Sequence, residues 1–174
     1  RGRARVLGQR GEADLVVDDD VDGAARRVPF EVGQVQRLRH DALARERKVR
    51  VATDNVAAAS AADVVVLCLK PMNVIPVCRA LREGKAVKRG ALVISIAAGV
   101  KIDAIAAVLG ETVPIIRAMP NTPCAIGCGT TVLSAGTRAG EIQMRSARGI
   151  FETLGRVIEL EERPNLVKLT KYIE

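Results

Sequence analysis

Aromatic side chains are almost absent. Among 174 residues there is no Trp, one Tyr and two Phe. A core without rings has to be built from Val, Ile, Leu and Ala, which suits a parallel sheet covered by helices on both faces. The same absence bears on partners. Single-stranded nucleic acid is gripped by aromatic platforms interleaved with basic side chains, and no such patch exists, so the net charge of +7 does not by itself imply nucleic acid. Histidine is also nearly missing. The single His40 lies on the polar side of a helically spaced stretch, far from the four cysteines. Cys124 and Cys128 are four residues apart with no second pair of ligands, which is no zinc pattern. Cys68, inside an apolar run, reads as a small buried hydrophobe. Free thiols and a reducing, cytoplasmic setting are expected. No Ser-His-Asp set and no pair of carboxylates on one edge is found. No apolar run approaches 18 residues and no targeting segment is seen, so no membrane span is expected. Repeats and low-complexity tracts are absent too.

What is present is a 48% apolar composition, enough for one domain with a good core. The charge is spread, with +3 net in residues 1–50 and +4 in the remainder. A phosphate-bearing small ligand suits such a domain.

The chain is organised around residues 91–123. An apolar strand, Leu92 to Ala97, runs into Ala97-Ala98-Gly99. A helix over Ile102 to Leu109 follows, and a second strand, Val113 to Ala118, runs into Met119-Pro120-Asn121-Thr122-Pro123. Upstream, Val49 to Ala52 is a short strand. Thr53-Asp54-Asn55 offers capping side chains to a helix through Ala62. Val64 to Leu69 reads as a mid-sheet strand ending at Lys70-Pro71, and Met72 to Arg82 as a helix whose start Pro76 delays. Downstream, Thr130 to Leu133 is a strand. Arg138 to Leu154 is a helix with Ile142, Ala147, Ile150, Phe151 and Leu154 on its apolar face, stopped by Gly155. Val157 to Leu160 is a last strand. Before residue 49, Leu15-Val16-Val17 is a possible strand and residues 31–47 have helical spacing. The expected fold is α/β, a Rossmann-like, doubly wound, mostly parallel sheet in a single domain. Right-handed crossovers set successive parallel strands side by side and bring the loops after the strands to one edge, where such sheets bind ligands.

Four groups on that edge can carry chemistry. The small side chains of Ala97, Ala98 and Gly99 allow a flat ring or a pyrophosphate to approach the backbone, or simply satisfy a crowded turn. Lys70, placed by Pro71, can lay its stem along the strand end and hold its ammonium at the edge for a phosphate or ribose oxygen, or be a solvated strand-end lysine. Pro120 and Pro123 restrict the residues before them, so Met119 and Thr122 are expected to be extended. Asn121 and Thr122 then form a stiff loop presenting one amide and one hydroxyl, or a structural turn. Asn55 is by default a helix cap. With so little acid–base machinery, an enzyme of this kind leans on a bound cofactor.

The segments VRVATDN (Val49 to Asn55), ADVVVLCLKP (Ala62 to Pro71), LVISIAAGV (Leu92 to Val100) and RAMPNTPCAIGCG (Arg117 to Gly129) resemble pyrroline-5-carboxylate reductase in content, order and spacing over about residues 45–160. The resemblance implies reduction of the imine of 1-pyrroline-5-carboxylate to proline with NADPH or NADH, in amino-acid biosynthesis, by a chain that forms homo-oligomers at full length. By position it implies that Asn55 contacts the adenosine side of the cofactor and that Leu69, Lys70 and Pro71 line its ribose and pyrophosphate path. Ala97, Ala98 and Gly99 pack near the nicotinamide ribose, and Met119, Asn121 and Thr122 shape the nicotinamide site. An iminium is already electrophilic, so alignment with the cofactor is the main requirement and no catalytic side chain is assigned.

The sequence departs from the family pattern in three places. Where the family opens on a strand and a G-x-G-x-M turn, the chain has Arg5-Val6-Leu7-Gly8-Gln9-Arg10-Gly11, a strand too short and charged, with Gly8 and Gly11 imitating part of the turn. The second strand and its phosphate-selecting end are not recognisable, and residues 1–44 read as a diverged or out-of-frame start. The family's helical dimerisation domain is expected to be missing. The expected organisation is therefore a poorly matching part over 1–44, the dinucleotide-binding domain over 45–161 and a tail over 162–174. Competing expectations are another NAD(P)-dependent reductase of the same superfamily, or a truncated, non-catalytic relative acting as a binding module.

Overall fold

The structure, a computed structural model, describes residues 4–7, 14–16, 50–52, 54–60 and 62–160. Strands β1 (Ala4–Leu7), β2 (Asp14–Val16) and β3 (Arg50–Ala52) are followed by helix α1 (Asn55–Ser60). Then come β4 (Val64–Leu67), α2 (Pro71–Glu83), β5 (Leu92–Ser95), α3 (Ile102–Leu109) and β6 (Ile115–Pro120). A 3-10 turn (Thr122–Ile126), β7 (Gly129–Ala135), α4 (Glu141–Phe151) and β8 (Gly155–Glu159) complete the described chain. The alternation expected from residue 49 onward is the one found. The helical stretch over 31–47, His40, Gly8, Gly11 and the tail over 162–174 lie outside the described residues.

The eight strands among the described residues form one sheet in the order β3-β2-β1-β4-β5-β6-β7-β8. β1, β4, β5 and β6 are mutually parallel. This is the expected Rossmann-like, mostly parallel architecture, with three differences. The segment around Val6 is a full strand of the sheet, paired from Ala4↔Val64 to Leu7↔Leu67, although its sequence looks too short and charged for that place. β3 does not lie beside β4: β2 and β1 stand between them, and β2 runs antiparallel to both its neighbours. β7 runs antiparallel to β6, because the 3-10 turn returns the chain directly instead of through a crossover helix.

The apolar runs divide by strand periodicity. Val65, Leu67, Val93 and Ile115 point to one face, where they meet Ala58 and Ala59 of α1, Val74, Cys78 and Leu81 of α2, and Ile102 and Ile105 of α3. Val66, Leu92, Ile94, Ile116, Ala118 and Leu133 point to the other, against Ala147 and Phe151 of α4 and against Leu154. Cover on both faces explains why these strands read as continuous apolar runs rather than alternating ones.

Several local expectations are corrected. α2 starts at Pro71, and Pro76 sits inside it without delaying it. Pro71 at the first helical position has a preset φ, and Pro76 lies on the exposed side of the helix. Ile142 is 75% exposed. It stands roughly 140–180° round α4 from Ala147 and Phe151, which carry the buried face, while Met144 in the same turn packs against the core. Met119 is extended as expected, within β6, but Thr122 is not: the extended residue in the loop is Asn121 (φ −95°, ψ 170°), and the 3-10 turn already begins at Thr122.

Candidate functional site at the carboxyl edge

The winding of the sheet reverses between β1 and β4, since the chain builds outward to β2 and β3 on one side and to β5 and β6 on the other. Crevices outside the carboxyl ends of strands at such a switch are where open α/β sheets take ligands. Cys68, Leu69 and Lys70 follow β4 at this point. The next strand ends beside it, with the Ile96 N–H donating to the Leu67 carbonyl at 3.3 Å. The loops after β3, β4, β5 and β6 all open on this edge. Every site residue expected from the sequence is therefore on it.

Each loop has a local cause. After β5, the buried Ser95 hydroxyl accepts the Ala97 N–H at 3.3 Å, a side-chain turn that draws the chain off the sheet. Ala97 is buried, Ala98 and Gly99 are exposed, and Gly99 has φ +76°. That conformation favours glycine, and a Cβ added there would meet nothing within 4 Å. Among the described residues the turn thus leaves its backbone uncovered. After β4, Leu69 is buried and Lys70 and Pro71 are exposed. Lys70 is the extended N-cap of α2 (φ −60°, ψ 143°), and the first turn of that 13-residue helix carries no acidic side chain. The positive end of the helix dipole and the Lys70 charge therefore add up in favour of an anion. Among the described residues the Lys70 ammonium makes no ion pair.

After β3, the cap of α1 is Asp54, whose carboxylate accepts the N–H groups of Val56 at 3.2 Å and Ala57 at 3.0 Å. Asn55 is not the cap; it is the first helical residue, half-buried. After β6, Met119 is 7% exposed, Asn121 is half-buried and Thr122 is exposed. The Asn121 side-chain oxygen accepts the Thr130 N–H at 2.7 Å. Part of this amide thus serves the turn, which the sequence alone left undecided.

Five strand spacings of about 4.8 Å separate β3 from β6, so the edge spans roughly 24 Å between these two strands.

Sequence reasoning passed over three features here. Met72 and Ile126 are 77% and 69% exposed, and both flank the edge loops. The signal available was an apolar residue directly after Lys70-Pro71 and another within the proline turn. Arg117, in the apolar run of β6, is 4% exposed, and its register partners on the flanking strands are Ser95 and Ser134. A charge inside a central strand was the signal. Among the described residues no three His, Cys, Asp or Glu side chains group to hold a metal, and no helix is long and apolar enough to cross a membrane.

Residues 30–99 match a family described as NADP oxidoreductase, coenzyme F420-dependent. The chain is 37% identical over 131 residues to the pyrroline-5-carboxylate reductase of Synechocystis, covering 75% of this chain and 48% of that protein. Its structure resembles a pyrroline-5-carboxylate reductase from Coxiella burnetii, with TM-score 0.66 and 36% identity over 71% of this chain and 45% of the other. It also resembles the Plasmodium falciparum pyrroline carboxylate reductase with NADP bound, with TM-score 0.59 and 25% identity over 64% and 41% of the two chains. The chain spans about half the length of the curated relatives it matches.

Proposed function

We propose that this relative of the pyrroline-5-carboxylate reductases is the cofactor-binding part of such an enzyme, taking NADPH or NADH at the carboxyl edge and serving reduction of 1-pyrroline-5-carboxylate to L-proline in the cytoplasm. The observation that carries the reading is the set of groups gathered on one edge with no partner among the described residues: the Lys70 ammonium, the Thr122 hydroxyl, and the exposed backbone at Ala98 and Gly99.

The donor set fits a dinucleotide. Asn55 holds the adenosine end. Lys70 and the α2 N-terminus neutralise the pyrophosphate, with Leu69 and Pro71 shaping its path. Ala97, Ala98 and Gly99 let the ribose on the nicotinamide side approach the backbone, and Met119, Asn121 and Thr122 border the ring. Met72 and Ile126 supply apolar cover that excludes water. When bound, the reduced nicotinamide supplies the hydride. The chain's own residues orient and desolvate the reactants, which is where most of the acceleration for an already electrophilic iminium comes from.

The test is a titration of NADPH and of NADH followed by cofactor fluorescence, favoured by a protein with no Trp and one Tyr. Saturable micromolar binding is expected. A folded chain that binds neither cofactor up to millimolar concentration would sink the proposal.

A further inference from the structure

Asn121 and Thr130 are tied twice across the turn that follows β6. The Asn121 N–H donates to the Thr130 carbonyl at 3.1 Å, and the Thr130 N–H donates to the Asn121 side chain at 2.7 Å. A backbone N–H can be received only by the oxygen of a carboxamide, never by its NH2 group. The amide therefore has one allowed orientation. Its oxygen receives a second, weaker donor, the buried Cys124 thiol at 3.8 Å, and that sulfur lies 3.7 Å from the Thr131 hydroxyl. Both hydrogens of the Asn121 NH2 group, by contrast, make no hydrogen bond among the described residues. The side chain is half-buried and stands on the edge beside Thr122.

Resting on the cofactor reading above, we infer that Asn121 works in this site as a donor only. Its NH2 group is held for an acceptor oxygen on the nicotinamide side of the cofactor, and Thr130 and Cys124 are positioning residues that fix this polarity. An amide free to rotate would offer either end to the ligand. Here the acceptor end is spent before any ligand arrives, so nothing is lost in choosing the orientation on binding. The site accordingly selects an oxygen acceptor over a donor at that position.

Two variants separate the halves of the inference. Asn121→Asp keeps an oxygen for the Thr130 N–H but removes both donors; Asn121→Ala removes everything. Hydrogen exchange of the Thr130 amide is followed by nitrogen-15 NMR, together with NADPH titration and thermal melting of the same three proteins. Slow Thr130 exchange is expected in the wild type and in Asn121→Asp, at least tenfold faster exchange in Asn121→Ala, and NADPH binding at least tenfold weaker in Asn121→Asp with its melting midpoint kept within a few degrees. Equal Thr130 exchange in the wild type and Asn121→Ala overturns the fixed orientation. Undiminished NADPH binding by Asn121→Asp overturns the donor role. A wild type that binds no NADPH while Thr130 stays protected overturns the cofactor reading and the ligand half with it, leaving the fixed amide standing.

Discussion

Gly129 and Gly155 are register partners on β7 and β8, and neither has room for a side chain: Gly155 is closed off by the Gly129 backbone and Gly129 by Cys124. A Cβ on Gly155 would lie 2.6 Å from the Gly129 nitrogen and closer still to its carbonyl oxygen; one on Gly129 would lie 2.5 Å from the Cys124 nitrogen and run into the Cys124 sulfur. The contact joins the last strand to the proline turn of the site. Gly155 also sits at φ +135°, where an L side chain is strained.

Gly155→Ala is therefore expected to combine overpacking with backbone strain, a loss of about 2–5 kcal/mol, read as a fall in the denaturation midpoint at unchanged slope. Gly149→Ala is the control. That helical glycine has open space around its missing Cβ, and alanine there should stabilise by roughly 0.5–1 kcal/mol. Equal stability of the two variants would contradict the packing described.

Lys70→Ala is expected to leave the melting temperature unchanged and to weaken NADPH binding about tenfold, the scale of one lost charge contact, about 1.4 kcal/mol. The side chain is exposed and without an ion-pair partner among the described residues, so stability has nothing to lose. The wild-type affinity should also fall with salt, and the variant's less steeply. Parallel salt dependences would argue against a Lys70–phosphate contact.

Cys78 and Cys124 are buried, Cys68 is half-buried and Cys128 is exposed. Burial pushes the thiols of Cys68 and Cys78 up from an ordinary 9.0 to about 12, so both are expected to stay protonated and unreactive at pH 8. Cys128 is exposed and should be the thiol alkylated first in the native protein. Peptide mapping after brief treatment with iodoacetamide reads this directly, and early labelling of Cys78 would refute the assignment.

The same thiols set an alkaline limit. A proton held more tightly in the folded state than in the unfolded one gives a contribution that is whole below the unfolded pKa and is lost as pH rises towards the folded value. Stability is thus expected to be insensitive to Cys68 and Cys78 below about pH 9 and to decline between there and about pH 12. Denaturation midpoints of a Cys68→Ala/Cys78→Ala variant across this range should decline less; identical slopes would show that other groups govern alkaline unfolding.

The sequence by itself determined the alternation of strands and helices from residue 49, the loops that carry Lys70, Ala97 to Gly99 and Asn121, and the likeness to a dinucleotide-binding domain. It could do so because buried strands demand continuous apolar runs and tight turns demand glycine or proline, and both demands are local. Tertiary structure alone decided the direction of β7, the separation of β3 from β4, and the place of Ala4–Leu7 in the middle of the sheet. Apolar periodicity records that a strand is covered, not which strand lies beside it or which way that one runs. The contact of Gly129 with Gly155 and the capture of the Asn121 oxygen by Thr130 follow from the same fact. Each depends on a neighbour brought up by long-range packing, and no pattern within a single segment encodes it.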